Sequence, residues 1–224
     1  MSSVNTVSSQ LIDIGQLPWT ELLPGVQAKR VWADAATNRV ALFIRFAPGA
    51  SLSRHAHDGD ELVYVLEGSV ADEFAAVTAG NVGYRPNGCT HTVHSPNGAT
   101  AFAVVSGGVH PAEGTASGPA SQLFDLATTA WVQARPGIRQ KAFWADPAAG
   151  RSAAFSRFEP GAELPAHRHV GDELLFVIEG TVEDEAGASR PGVVGYRPDG
   201  CTHTVRSPNG ATVLAFLWGG VEAI

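Results

Sequence analysis

The sequence predicts an all-β protein made of two tandem domains, and three observations support this. Apolar, β-branched or aromatic runs of strand length occupy residues 40–46, 62–66 and 101–105. Clusters of Gly, Pro and Asn separate such runs at roughly the 8–12-residue spacing of a β-sandwich or barrel. The chain also repeats itself, so both halves should adopt the same fold. Helix should be scarce, with a single helical turn expected within Gln16–Leu23.

The two halves align without a gap at an offset of 112 residues. Residues 80–100 are identical to residues 192–212 at all but three positions. This period is too long for a solenoid unit and has only two copies, so each copy should be a complete domain. The join, residues 110–120, is rich in Pro, Gly and Ser, as is typical of a linker. We therefore expect domains at residues 1–112 and 113–224.

Composition limits the cellular context and the partners. Apolar residues make up 44% of the chain and charged residues 17%, which fits a globular protein with a core. The net charge is −7 and neither half is basic, so no nucleic-acid partner is expected. There is no apolar run of membrane-spanning length and no secretory pattern at the N-terminus, so we expect a cytoplasmic protein without membrane contact. Cys89 and Cys201 occupy equivalent positions and should be free thiols.

Histidines and one glutamate form the most specific pattern of the first repeat. His55 and His57 are two residues apart, so on a strand their imidazoles point to the same side. Glu61 follows, and His91 comes from a later strand in the sequence Cys-Thr-His-Thr-Val. Three neutral imidazoles and one carboxylate suit a divalent transition metal. A six-coordinate ion held by four protein ligands keeps two positions for water, substrate or O₂.

The second repeat carries the same residue types in the same order, and six of the eight histidines of the chain fall in these positions. The cofactors predicted are therefore two divalent transition-metal ions. Iron is the first expectation and zinc, nickel or manganese are alternatives, because the same ligands serve all of them. The predicted metal ligands are His55, His57, Glu61, His91, His167, His169, Glu173 and His203.

The spacing of these residues resembles the two sequence motifs of the cupin superfamily. The first motif, G-x₅-H-x-H-x₃,₄-E-x₆-G, fits Gly49, His55, His57, Glu61 and Gly68, and again Gly161, His167, His169, Glu173 and Gly180. The second, G-x₅-P-x-G-x₂-H-x₃-N, fits Gly80, Pro86, Gly88 and His91, and again Gly192, Pro198, Gly200 and His203. Its final Asn is replaced by Ser95 and Ser207, outside the ligand set.

The resemblance covers both repeats and implies a bicupin. Its expected fold is two tandem cupin barrels (double-stranded β-helix, jelly-roll-like) that form an internal pseudo-dimer. The Asp-Glu pairs at 60–61 and 72–73, with Pro-x-Gly-Cys-x-His, make the chain most similar to the cupin module of ChrR-type anti-sigma factors. Relatives of that module include dioxygenases that cleave diketones and acyl-phenols.

Three functions follow from the resemblance and the ligands. The first is a non-haem Fe(II) dioxygenase that cleaves a C–C bond of a small diketone or acyl-phenol. The second is a non-catalytic zinc-binding sensor, although a sigma-factor partner is not expected because the chain lacks the His-x₃-Cys-x₂-Cys signature of the anti-sigma proteins. The third is decarboxylation or isomerisation at manganese or nickel. The expected partner is a small-molecule substrate or ligand, and the expected state is a monomer (pseudo-dimer) or a homodimer.

Residues near the predicted ligands suggest the surroundings of the metal. Val63, Val65 and Val93 share the parity of the ligands, so they line a mostly apolar pocket or fill the barrel core. Cys89 lies two residues before a ligand and could bind metal, react, or be a small buried side chain. Asp60 could orient an imidazole. The sequence assigns no catalytic acid, base or nucleophile.

Overall fold

The computed structural model describes residues 7–224, which are almost entirely β-strands and connections, as predicted. Strands β1–β11 are Gln10–Asp13, Thr20–Leu23, Val26–Asp34, Arg39–Phe46, Ser51–His57, Glu61–Ala71, Ala76–Thr78, Val82–Arg85, Thr90–His94, Ala99–Ser106 and Val109–Pro111. Strands β12–β21 are Gln122–Phe124, Val132–Arg135, Ile138–Asp146, Arg151–Phe158, Ala162–Gly180, Val182–Asp184, Gly187–Ser189, Val193–Arg197, Thr202–Ser207 and Ala211–Ala223.

One helical turn occurs within the described residues, and it is the 3₁₀ turn Ile14–Gln16. The helical turn expected within Gln16–Leu23 is wrong for most of that segment, because Thr20–Leu23 is strand β2 and pairs with β3. Pairing with a neighbouring strand has overridden a weak local preference. No helix among residues 7–224 has the length and apolar character needed to cross a membrane.

The described chain divides into two compact units. The first unit is residues 17–126, and the second combines residues 127–224 with residues 7–16. The repeat boundary between residues 112 and 113 stays a prediction about where the two sequence copies join.

In the first unit, every strand pairing is antiparallel and β6 has the most partners. The strand order is β11-β5-β9-β6-β10-β4-β3-β2, and β6 also pairs with β7 and β8. Strand β6 is therefore shared by two faces of a curled sheet. The second unit has the order β13-β14-β15-β21-β16-β20-β17-β18, with β19 beside β16. The two units thus repeat one topology.

A short strand lies near the start of each repeat and completes a unit. Strand β12 pairs with β8 in the first unit, whereas β1 pairs with β19 in the second. The two strands are repeats of one another, since Ser-Gln-Leu at 9–11 recurs at 121–123. The first strand of the second repeat therefore belongs to the first unit, and the first strand of the first repeat belongs to the second.

Each unit has its own apolar core on the inner side of the strands. Val63, Val65 and Val93 are buried in the core of the first unit, and Leu175, Val177 and Val205 occupy the matching places in the second. The alternation predicted from the ligand parity thus holds along these strands. The predicted ligands His55, His57 and Glu61 line one cavity together with Val63 and Val93.

The last glycine of the first sequence motif is fixed by a close backbone contact. Gly68 has φ +70°, and a Cβ at this position would lie 2.0 Å from the carbonyl oxygen of Gly98. A side chain cannot be accommodated there, and glycine is also the residue that tolerates this backbone conformation. Gly180 repeats the arrangement against Gly210.

Candidate metal centres

In the first unit, three imidazoles converge from two adjacent strands. His55 and His57 lie on β5, and His91 lies on β9 directly opposite His55. One ring nitrogen from each of the three lies within 4.8 Å of the others. His57 and His91 are 2% and 0% exposed. The sequence prediction that these three side chains meet is therefore confirmed, and their role as metal ligands remains a prediction.

A β-bulge shapes this meeting point. In the β5–β9 ladder, Leu52 pairs with Val93 and His55 pairs with His91. Strand β5 thus advances three residues where β9 advances two, and one extra residue lies on β5. An extra residue reverses the alternation of faces, so Leu52 and His55 both face inward. Simple parity does not predict this.

Two of the three rings, His55 and His91, are oriented by a hydrogen bond at Nδ1. Nδ1 of His55 lies 2.8 Å from the carbonyl oxygen of Ser53, and Nδ1 of His91 lies 3.2 Å from a carboxylate oxygen of Asp72. Both partners only accept, so each Nδ1 donates its hydrogen and Nε2 keeps a lone pair. Nε2 of His57 and Nε2 of His91 are 2.9 Å apart. Two metal–nitrogen bonds of about 2.1 Å at a right angle give a separation of about 3.0 Å, so the donors fit a bound cation.

Burial keeps the imidazoles in the form that binds metals. Removal from water lowers the pKa of His55 and of His57, because the charged ring loses its hydration. Glu61 raises both pKa values by attraction, but by less than burial lowers them. Both rings are therefore neutral near pH 7, and a metal ion has no protons to displace from them.

Glu61, the predicted fourth ligand, lies beside the imidazole cluster. Its carboxylate is 3.9 Å from Nε2 of His57 and 3.9 Å from Nε of Arg85. Burial raises the pKa of Glu61, but the neighbouring His57 and Arg85 outweigh that effect and hold the pKa below its ordinary value. The carboxylate is thus ionised and within reach of the site, and its coordination of a metal stays a prediction.

Asp72 links the site to the rest of the unit, and sequence reasoning missed it. Its buried carboxylate accepts from Nδ1 of His91, from Nη2 of Arg85 at 3.2 Å and from the Ser121 hydroxyl at 2.7 Å. Burial raises the pKa of Asp72, but the hydrogen bonds from His91 and Ser121 prevail and the pKa falls well below its ordinary value. When a histidine binds a metal through one ring nitrogen, a carboxylate hydrogen-bonded to the other nitrogen fixes the tautomer and orientation of the ring. The sequence did contain one sign that Asp72 matters, because Asp72-Glu73 recurs in the second repeat as Asp184-Glu185.

Asp60, which the sequence suggested for this task, has other partners. It accepts from the Tyr84 hydroxyl at 2.8 Å and from the backbone N–H of Asn87 at 3.3 Å. The carboxylate that orients an imidazole in the first unit is Asp72, because β6 carries it back past β9. The pair Tyr84-Arg85, which recurs as Tyr196-Arg197, contacts these two carboxylates, with Tyr84 on Asp60 and Arg85 on Asp72.

Space for the Arg85 guanidinium comes from a glycine two residues earlier. A Cβ on Gly83 would lie 2.4 Å from Nη1 of Arg85. Arg85 is 1% exposed, so its guanidinium has little room to move aside. Gly195 and Arg197 repeat the arrangement, with a distance of 2.0 Å. The glycine of each Gly-Tyr-Arg sequence is thus explained by the buried guanidinium of the arginine two residues later.

The second unit reproduces the centre closely. His169 and His203 have their Nε2 atoms 2.9 Å apart, and Asp184 holds Nδ1 of His203 at 3.1 Å. Nδ1 of His167 bonds the carbonyl oxygen of Pro165 at 2.9 Å. Burial lowers the pKa of His169 to about 4. The remaining predicted ligand, Glu173, lies 3.9 Å from Nε2 of His169.

Both cysteines are free, as predicted, and completely buried. Burial raises the pKa of Cys89 to about 11, and it also raises the pKa of Cys201. The Cys201 sulfur lies 3.6 Å from the hydroxyl oxygen of Ser9, the residue immediately before strand β1. Reactive thiols need a lowered pKa and access to solvent. Of the alternatives left open by the sequence, the geometry favours small buried side chains beside the site.

A cavity of about 640 Å³ opens onto the first centre. His55, His57 and Glu61 form part of its wall. Most of the remaining wall is aliphatic, and of the residues for which the sequence left pocket and core open, Val63 and Val93 line the cavity. These side chains are Leu22, Leu23, Val40, Leu42, Ile44, Leu52, Val63, Val70, Val93, Ala103, Val105 and Val109.

Comparison with models of protein families identifies the family of this chain. The model of the ChrR cupin-like domain matches residues 7–110 and, a second time, residues 119–220. The chain belongs to the ChrR cupin-like family. Its two matches correspond to the two sequence repeats, so the protein is a bicupin with two cupin domains, as the motifs indicated. No curated protein sequence matches it significantly.

Solved structures of Bacillus subtilis oxalate decarboxylase OxdC share the bicupin fold. A deletion mutant and a substitution mutant of OxdC each have a TM-score of 0.73 and 18% identity, covering 98% of this chain and 80% of theirs. A further OxdC structure, from work on the EPR of its Mn(II) centres, has a TM-score of 0.73 and 17% identity over the same shares. At this identity the likeness shows the fold alone.

Proposed function

We propose that this ChrR-like bicupin is a metal-dependent enzyme, a non-haem Fe(II) dioxygenase that cleaves a C–C bond of a small diketone or acyl-phenol. One observation carries the proposal: the apolar cavity of the first unit has the imidazoles of His55 and His57 in its wall. A cavity of about 640 Å³ is of the size that holds small organic molecules. The neutral imidazoles beside it are donors suited to a divalent ion.

The proposed ligands are the three histidines and the glutamate of each motif. When bound, a redox-active divalent ion supplies Lewis acidity toward a chelating dicarbonyl and the capacity to react with O₂. The residues of the chain prepare the site for this. Asp72 fixes the tautomer of His91, and burial keeps His57 unprotonated. The aliphatic wall excludes water and positions apolar substituents.

The proposed reaction balances without another reductant. One β-diketone and one O₂ give one carboxylic acid and one 1,2-dicarbonyl compound, so both oxygen atoms enter the products. The electrons come from the C–C bond and the enolate of the substrate. Enolate formation releases one proton to solvent, and the enolate with O₂ then gives the 1,2-dicarbonyl compound and a carboxylate, so protons and charge balance.

The lining of the cavity favours dioxygenation over decarboxylation. The structural neighbours are oxalate decarboxylases, and oxalate is a small dianion without apolar surface. The aliphatic side chains, which form most of the wall, offer such a molecule no favourable contact, and Arg54 and Arg85 are the arginines in the wall. We therefore place decarboxylation below dioxygenation, while manganese remains a candidate metal beside iron.

A zinc-binding sensor without catalytic activity is the second candidate. The match to the ChrR cupin-like family favours it. A cysteine-based oxidant sensor is disfavoured, because burial raises the pKa of both Cys89 and Cys201 and hides them from solvent. A sensor of this kind would have to detect a ligand in the cavity.

Oxygen uptake separates the two candidates. The protein is loaded with Fe(II) without oxygen, mixed with a panel of β-diketones and acyl-phenols, and exposed to O₂ in an electrode chamber. We expect one O₂ consumed per substrate cleaved, with zinc-loaded protein and the His91→Ala variant as inactive controls. If iron-loaded protein with confirmed metal content turns over no member of the panel, the dioxygenase proposal is wrong and the sensor is favoured.

A further inference from the structure

One charged side chain in the cavity wall belongs to neither the predicted ligands nor their support. Arg54 immediately precedes His55 on β5 and lines the cavity of the first unit. Its Nη2 lies 3.0 Å from a carboxylate oxygen of Glu73. Its Nη1 is buried and has no hydrogen-bond partner. A buried guanidinium nitrogen without an acceptor is unfavourable, so an acceptor brought by a ligand would stabilise it.

The wall around Arg54 is suited to an apolar group. Val40, Leu42 and Ile44 lie along β4 at every second position, so their side chains share one face. Leu22 and Val109 also line the cavity and are about half exposed, at 50% and 49%. Exposed aliphatic side chains at a cavity lining gain from covering by an apolar ligand. The cavity thus combines two arginines, Arg54 and the Asp72-paired Arg85, with a long apolar wall.

The second repeat provides an internal comparison, because it keeps the metal ligands and loses these features. Arg54 is replaced by Ala166, and Leu22 is replaced by Ala134. The aliphatic row of β4 becomes small or polar on β15. The replacements are Val40 by Ser152, Leu42 by Ala154 and Ile44 by Ser156. Arg54 and the apolar wall therefore change together, while Arg85 and the predicted ligands are kept.

We propose that the cavity of the first unit takes an organic monoanion with an aliphatic or aryl tail, and that Arg54 binds its delocalised oxygen anion. This inference rests on the proposed function, since it assigns a substrate class to the same cavity. A carboxylate and the enolate of a β-diketone share the required chemistry: two oxygen atoms that carry one charge. Nη1 of Arg54 then hydrogen-bonds one of these oxygens and leaves the other for the proposed metal. The tail lies against the β4 row.

Calorimetric titration tests this class without any turnover. The protein is loaded with zinc, which has no redox chemistry, and titrated with phenylbutanoate, phenylbutanamide and succinate. These probes carry tail and charge, tail alone and charge alone. We expect phenylbutanoate to bind at least about tenfold more tightly than either of the others, with one site per chain. A fourth titration with a phenyl-substituted β-diketone, above the pKa of its enol, distinguishes enolate from carboxylate binding.

Variants assign the effect to named residues. Arg54→Ala copies the second repeat and should weaken phenylbutanoate about tenfold while changing phenylbutanamide less than twofold. Glu73→Gln should have the opposite effect and tighten phenylbutanoate, because the competing carboxylate on Arg54 is lost. Ile44→Ser, also copied from the second repeat, should weaken phenylbutanoate and phenylbutanamide equally. Ala166→Arg is the matched control in the second unit and should leave all three affinities unchanged.

Each outcome decides the proposal. Equal affinity for phenylbutanoate and phenylbutanamide, or an Arg54→Ala variant that binds phenylbutanoate as wild type does, overturns it. If Arg54→Ala lowers the melting temperature, Arg54→Gln replaces it, because glutamine keeps much of the side-chain volume and removes the charge. The proposed function fails separately, through absence of O₂ uptake by iron-loaded protein, whereas this proposal is decided by binding to zinc-loaded protein.

Discussion

Acidification should destabilise the metal-free protein in a window set by its buried imidazoles. His169 is 1% exposed, and burial lowers its pKa from 6.5 to about 4. In the unfolded chain the same ring binds a proton near pH 6.5. Between pH 6.5 and about 4 the unfolded state therefore binds more protons than the folded state. Stability from this group is fully present above pH 6.5 and falls as the pH falls through the window.

The size of the effect follows from the two pKa values. At pH 5 the unfolded ring is almost fully protonated and the folded ring is mostly neutral. The free energy of unfolding is then lower by about 2 kcal/mol than at pH 7.5, from His169 alone. His55, His57 and His167 have pKa values shifted in the same direction by burial, so the total loss is larger. Asp72 and Asp184 contribute to the pH dependence of stability only when the pH is near or below 3.8, which is the ordinary pKa of an aspartate.

Urea unfolding of metal-free protein at several pH values between 7.5 and 5 measures this loss. The His169→Leu variant should lose about 2 kcal/mol less than wild type over that range, whatever its stability at pH 7.5. His94→Asn is the control, because His94 is exposed in the folded protein and should leave the pH dependence unchanged. Equal pH dependence in wild type and His169→Leu would refute the argument that burial keeps this ring neutral.

Three further predictions concern the residues that support the centres. Asp72→Asn should weaken metal binding at the first centre about 10- to 100-fold in a competitive chelator titration, because His91 loses the carboxylate that fixes its tautomer. Ser9→Ala should weaken only the second centre, since the Ser9 hydroxyl bonds Asp184 there; an equal loss at both centres in the same titration would contradict this. Gly83→Ala should lower the free energy of unfolding by about 1–3 kcal/mol in urea, because the new methyl group overlaps the Arg85 guanidinium.

The sequence alone was sufficient to predict the fold and the meeting of the three histidines in each unit. The repeat at an offset of 112 predicted two copies of one β-domain, and the structure has two units of the same topology. The alternation of side chains on a strand predicted that His55 and His57 face the same way, and they meet His91. Local spacing was enough here, because the donors come from one strand and from its direct neighbour in the ladder.

Features that depend on tertiary pairing were not predictable in the same way. Asp60 was the natural choice to orient an imidazole because it is adjacent to Glu61, whereas Asp72 does so because the sheet folds β6 back past β9. The bulge before His55 has no distinct residue signal. The placement of Ser121 on Asp72 requires β12 to pair with β8, and no periodicity in the sequence reports that pairing.

Metal content per chain tests the central claim most directly. Protein purified without added metal, and then saturated with Fe(II), Mn(II) or Zn(II), is analysed by elemental mass spectrometry together with the His91→Ala and His203→Ala variants. Wild type should hold two ions per chain, and each variant should hold one, because each unit contains its own three imidazoles. An absence of bound metal in wild type under every loading condition, or the loss of both ions from a single variant, would contradict the account.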